Sequence, residues 1–146
     1  MVRRITRAAA VAGLVTSSLL AGCSASAAPP PSSISADLSE FKVTLDSNRA
    51  QAGKVSFAVR NGGTIVHEFV VLKTDLATDK LATKDGELDE DSPDVARVDE
   101  VEDVTPGSTK TLTVTLEPGS YVLICNLPGH FLGGMRATLE VPASTT

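Results

Sequence analysis

Cys125, His130 and Met135 stand five residues apart in the stretch Tyr121-Val122-Leu123-Ile124-Cys125-Asn126-Leu127-Pro128-Gly129-His130-Phe131-Leu132-Gly133-Gly134-Met135. A thiol, an imidazole and a thioether thus follow an apolar run and sit around a loop rich in Pro and Gly, whose turn chemistry lets three side chains fold onto one point. His67, the only other histidine, lies in Ile65-Val66-His67-Glu68-Phe69-Val70-Val71. Strand alternation sets it on the face of Phe69 and Val71, opposite Glu68. Two imidazoles, one thiolate and a weak thioether suit a soft, redox-active metal ion. Taken singly, each residue has an ordinary explanation, since a free Cys is commonly a small buried hydrophobe and a lone Met fills core space. Taken together they do not, because the chain beyond Cys23 holds one Cys, two His and one Met, and all four fall in this pattern.

The elements that must position these donors read as strands. Period-two alternation recurs in Phe41-Lys42-Val43-Thr44-Leu45, in Val55, Phe57 and Val59, and in Leu112, Val114 and Leu116, each the pattern of a half-buried strand. Ile65 to Lys73, Tyr121 to Cys125 and Arg136 to Val141 extend the set. Turns separate them at Asn61-Gly62-Gly63, Thr105-Pro106-Gly107-Ser108 and Glu117-Pro118-Gly119-Ser120, the last two with the Pro-Gly order of a type II turn. No strand-helix-strand rhythm appears, which argues against a doubly wound sheet. The expected fold is all-β, a Greek-key β-sandwich of about seven to eight strands over residues 38–142. A short helix is expected between Thr74 and Lys84, and the last four residues, 143–146, are expected to form a disordered tail.

A His₂Cys set with a long axial Met is the signature of a blue-copper electron-transfer site, and at these residues the sequence resembles the cupredoxins, or type 1 copper proteins. The resemblance covers roughly Phe41 to Val141. It implies one mononuclear copper held by Cys125 through a short thiolate bond, by His67 and His130 as equatorial imidazoles, and by Met135 as a weak axial contact. The implied activity is single-electron transfer between redox partners such as a cytochrome or a copper oxidoreductase, with no catalytic residues. One departure stands out: many cupredoxins carry Asn after the first histidine, bracing the ligand loop, where this chain has Glu68. Asn126 offers a side-chain amide that could brace the loop instead. Around His130, the residues Leu127, Pro128, Phe131, Leu132, Gly133 and Gly134 are expected to form an apolar rim.

At the N-terminus, Arg3, Arg4 and Arg7 precede an apolar run from Ala8 to Leu20, the order of a secretory signal and too short to span a bilayer, which needs about 20 residues. The run ends in Leu20-Ala21-Gly22-Cys23, which resembles the lipobox of bacterial lipoproteins. That resemblance implies cleavage after residue 22 and attachment of lipid to Cys23, placing the protein outside the cytoplasm on the bacterial cell membrane. Residues 23–37, Ser/Ala/Pro-rich with Pro29-Pro30-Pro31, read as a tether.

The precursor carries a net charge of −5, and removal of residues 1–22 takes three arginines away, leaving −8. An acidic chain with 3% aromatic residues has neither the basic face nor the stacking platforms of a nucleic-acid binder. Ten of the 18 acidic residues lie between Asp85 and Asp103, offset only by Arg97. This stretch reads as a loop and a charged edge strand facing water rather than as a docking patch for a cationic partner, and it lacks the spacing of a calcium loop. Two other classes compete with electron transfer. A copper carrier or buffer would want additional Met or His along a transfer path, and none is present. An enzyme built on Cys125 and His130 would need an orienting third group and an oxyanion hole, which the sequence does not offer.

Overall fold

Ile34, Ala36 and Leu38 alternate with Ser33, Ser35 and Asp37, a pattern sufficient for a half-buried strand. In the computed structural model, which describes residues 32–143, β1 runs Ser32–Ser39 with those three apolar side chains inside the core. Strand structure is therefore already present at Ser32, ahead of the expected Leu38, and the end of the expected tether is a strand. Small serines on its outer face give the strand the composition of a linker. The expected signal segment, the lipid attachment at Cys23 and residues 144–146 lie outside the described residues.

Two four-stranded sheets make up the sandwich. In the first, β2 (Lys42–Leu45) pairs antiparallel with β1, β1 pairs in parallel with β3 (Gly53–Asn61), and β3 pairs antiparallel with β8 (Thr109–Leu116). The second is antiparallel throughout, in the order β10 (Arg136–Val141), β9 (Gly119–Ile124), β4 (His67–Lys73), β7 (Ala96–Val104). Between β4 and β7 the chain makes one turn of 3₁₀ helix at Thr78–Lys80, where a short helix was expected, and a small hairpin of β5 (Thr83–Lys84) and β6 (Glu87–Leu88). The Thr105–Ser108 turn has Gly107 at φ +75°, the value its type II geometry demands of the third residue.

Inner faces of both sheets form the main core, in which Phe57 of β3 and Phe69 of β4 pack at a ring-centroid distance of 5.4 Å. A second apolar cluster covers the outer face of the second sheet: Val70, Leu72, Val122 and Ile124 lie under Leu81, Leu88 and Phe131. Burial on both faces explains why β4 and β9 carry unbroken apolar runs instead of alternation. The charged stretch ends in β7, an edge strand as expected, whose exposed charges disfavour pairing with another chain.

Candidate metal centre

All four donor residues stand at one end of the sandwich because of where strands begin and end. His67 is the first residue of β4, Cys125 follows the last residue of β9, and Met135 precedes the first residue of β10. The loop between β9 and β10 is closed on itself, with the Cys125 N–H donating to the Met135 carbonyl at 3.1 Å and the Met135 N–H donating to the His130 carbonyl at 3.0 Å. Inside it lies a single helical turn, α1 (His130–Gly133), entered through Gly129 at φ +80° and left through Gly134 at φ +116°. Both values belong to the left-handed region, which glycine adopts without the steric cost of a Cβ.

The structure brings three of the predicted donors together, with ligand-type atoms of His67, Cys125 and His130 all within 4.8 Å of one another. The Cys125 Sγ lies 3.3 Å from His130 Nδ1 and 3.8 Å from His67 Nδ1, and the two imidazoles meet edge to face at 5.2 Å. His67 and Cys125 are fully buried, His130 is half-buried, and Met135 is fully buried in the same core cluster as Cys125. The Glu68 backbone N–H points at Cys125 Sγ from 3.5 Å. Burial pushes the Cys125 thiol above its ordinary range, and burial followed by the neighbouring His130 pulls the His67 imidazole below its own. A thiolate here therefore lacks a compensating charge from the protein, and two imidazole nitrogens presented beside the sulfur are the donors a soft cation would take. His67 Nε2 is buried with no hydrogen-bond partner among the described residues, so packing and the side facing the sulfur hold this ring.

A hydrogen-bonded frame surrounds the donors. The Glu68 carboxylate accepts the Asn126 N–H at 2.9 Å. Asn126 Oδ1 accepts the Leu88 N–H at 2.7 Å, and its Nδ2 donates to the Leu88 carbonyl at 3.1 Å and to the Glu90 carboxylate at 2.8 Å. Asn61, fully buried, donates from Nδ2 to the carbonyls of Ile65 and Val104 at 2.7 Å each and accepts the Gly63 N–H at 2.8 Å, fixing the segment that leads into His67. The sequence pattern marked Asn61 only as a turn residue; nothing in Asn-Gly-Gly signals that its side chain turns inward. Part of the acidic stretch belongs to this frame, since Arg97 pairs with Glu90 at 3.5 Å and also with Glu100.

The rim of the site differs from the expected one. Phe131 is buried in the second core cluster, not at the surface, because the helical turn directs it inward onto β4 and β9. Leu132, at 56%, and Pro128 are exposed as expected, and further exposed apolar side chains come from Phe41 before β2 and from Ile65 and Val66 before β4. The Phe41 ring meets the His130 ring edge to face at a centroid distance of 6.0 Å.

No protein-family model matches the chain, and no curated protein matches it in sequence. Solved structures do. Reduced auracyanin from Roseiflexus castenholzii superposes with a TM-score of 0.56 at 22% identity, over 77% of this chain and 98% of its own. Auracyanin B gives 0.53 at 20% identity over 78% and 91%. Auracyanin A, described as a "blue" copper protein from Chloroflexus aurantiacus, gives 0.52 at 21% over 77% and 99%. The chain accordingly has the fold of the auracyanins, a cupredoxin-like β-sandwich along nearly their full length.

Proposed function

We propose that this protein holds one mononuclear copper and carries single electrons between extracytoplasmic redox partners, anchored to the cell membrane through lipid on Cys23. The observation that carries the reading is the convergence of His67, Cys125 and His130, with ligand atoms within 4.8 Å of one another in a buried setting. Met135 closes the same loop from inside the core. The blue-copper character of one fold neighbour supports it.

Bound copper would supply the Cu(II)/Cu(I) couple. What the chain contributes is constancy of the donors. Cys125 furnishes a thiolate, His67 and His130 furnish Nδ1, and Met135 furnishes a thioether, each on a segment tied to a sheet. Donors held this way keep one geometry through a change of oxidation state, which reduces the reorganisation that transfer requires. His130 is the half-buried imidazole of the pair and offers the shortest way to the surface. Exposed Leu132 and Phe41 beside it give a partner an apolar footing. Among the described residues no helix is long and apolar enough to cross a membrane, and lipid on Cys23 would supply attachment.

Residues 24–146 with added Cu(II) should show an intense visible thiolate-to-copper band and a type 1 electron paramagnetic resonance signal, both lost in Cys125→Ala. A colourless protein that prefers zinc overturns the reading. For the anchor, Cys23→Ala in the full chain should leave the copper band intact and release the protein from membranes.

A further inference from the structure

The two residues between β1 and β2 do more than turn the chain. Phe41 is 56% exposed yet sits at φ +61°, a conformation costly for a bulky side chain. Its ring lies edge-on to His130, and it covers Gly133 so closely that a Cβ there would overlap it. Its carbonyl approaches Gly134 within 3.0 Å of where a Cβ would stand. The adjacent Glu40 faces the other way. Its carboxylate accepts the Thr64 N–H, the Thr64 hydroxyl at 3.0 Å and the Ile65 N–H at 3.1 Å, and Gly63 leaves room for it where a Cβ would collide. One dipeptide thus grips both segments that deliver histidines, Thr64–Ile65 just ahead of His67 and Gly133–Gly134 just behind His130.

We infer that Glu40 and Phe41 form a clasp that holds the His130 loop in its donor geometry before any metal arrives and limits metal exchange through that edge of the site. Both are positioning residues, acting through backbone and ring contacts rather than as ligands. An outward-facing aromatic in the left-handed region gains little from burial, so its conformation is accounted for by what it holds. The inference rests on the copper reading, and the two fail separately.

The test is amide hydrogen exchange of the metal-free protein, read at Gly134 and Met135, whose N–H groups bond within the loop, and at Val55 and Phe57 in the central strand as controls. In Phe41→Ala, exchange at the loop amides should rise on the order of tenfold with the controls within about twofold. Phe41→Tyr should restore protection. Glu40→Gln should move the same amides in the same direction by less. For the copper-loaded protein, transfer of Cu(I) to a chelator such as bicinchoninate should quicken on the order of tenfold in Phe41→Ala, with the visible band of the Cu(II) form retained. Unchanged loop exchange in Phe41→Ala overturns the clasp, as does a rise shared equally by Val55 and Phe57, which marks general destabilisation. Copper release at the wild-type rate overturns its control of metal exchange. A wild-type protein that takes up no copper overturns the proposed function, while the exchange measurement still decides the clasp.

Discussion

The Glu68 carboxylate accepts the backbone N–H of Asn126 at 2.9 Å, joining the residue after His67 to the residue after Cys125. This bond sets the spacing between the ends of two neighbouring strands, at the point where each presents a donor. The cupredoxin resemblance implied an Asn at this position; here a half-buried Glu accepts instead, and burial raises its carboxyl above the ordinary range. Replacing it with Ala leaves a buried N–H without a partner, and Glu68→Ala should lower unfolding free energy by about 1–3 kcal/mol. Glu68→Gln retains an acceptor and should lose less. Urea denaturation of the metal-free variants distinguishes the two; equal losses would show that the bond contributes nothing.

Asn61 should prove more costly. Its side chain satisfies the carbonyls of Ile65 and Val104 and the Gly63 N–H from a fully buried position. Asn61→Ala strands all three groups, and the expected loss is about 2–4 kcal/mol. Because the Ile65 contact lies in the lead-in to His67, the variant should also take up copper more weakly at temperatures where it remains folded. Denaturation together with chelator competition reads both effects.

Acid should loosen the Glu40 contact. Hydrogen bonds from the Thr64 backbone, first among several, hold the Glu40 carboxyl at about 2, against an ordinary 4.5. A carboxyl depressed in the folded state contributes stability above its unfolded value, and the contribution disappears as pH falls through the folded one. The difference in melting temperature between wild type and Glu40→Gln should therefore be largest above pH 4.5 and vanish near pH 2. A difference that stays constant across this range would show that the charge plays no part.

Leu132 offers a separation of stability from traffic. It is 56% exposed, so Leu132→Glu should change stability by less than about 0.5 kcal/mol. With the copper band unchanged, electron exchange with a redox partner should slow on the order of tenfold, because a charge now stands in the apolar contact. Stopped-flow reduction measures it, and an unchanged rate would move the exit away from His130.

Much of this architecture is visible in one dimension. Arg136 to Val141 is a strand with the expected limits, and Cys125, His130 and Met135 lie on one short loop, so chain connectivity alone keeps them near each other. His67 is harder, since its approach depends on β4 pairing with β9, yet the alternation around Phe69 and Val71 sets the correct face. What escaped the sequence shares a cause. β1 resembles linker because only Ile34, Ala36 and Leu38 face inward, and Phe131 resembles rim because a single turn of helix has no periodicity to show its direction. Glu40 and Phe41 act on segments remote in sequence, as does Asn61 through its bond to the Val104 carbonyl, and such contacts leave no local pattern.

The parallel course of β1 beside β3 has a consequence for the molecule as a whole. β1 travels from Ser32 toward the donor residues, about 25 Å at roughly 3.3 Å per residue, while β10 leaves Met135 and returns the other way. Ser32 and Pro142 accordingly line one surface depression, together with Arg49 and Gln51. The polypeptide enters and leaves the sandwich at the same pole, and the donors occupy the opposite one. Under the proposed function, lipid on Cys23 would therefore hold the protein by the pole of Ser32 and Pro142, with His67, Cys125, His130 and Met135 at the pole farther from the membrane.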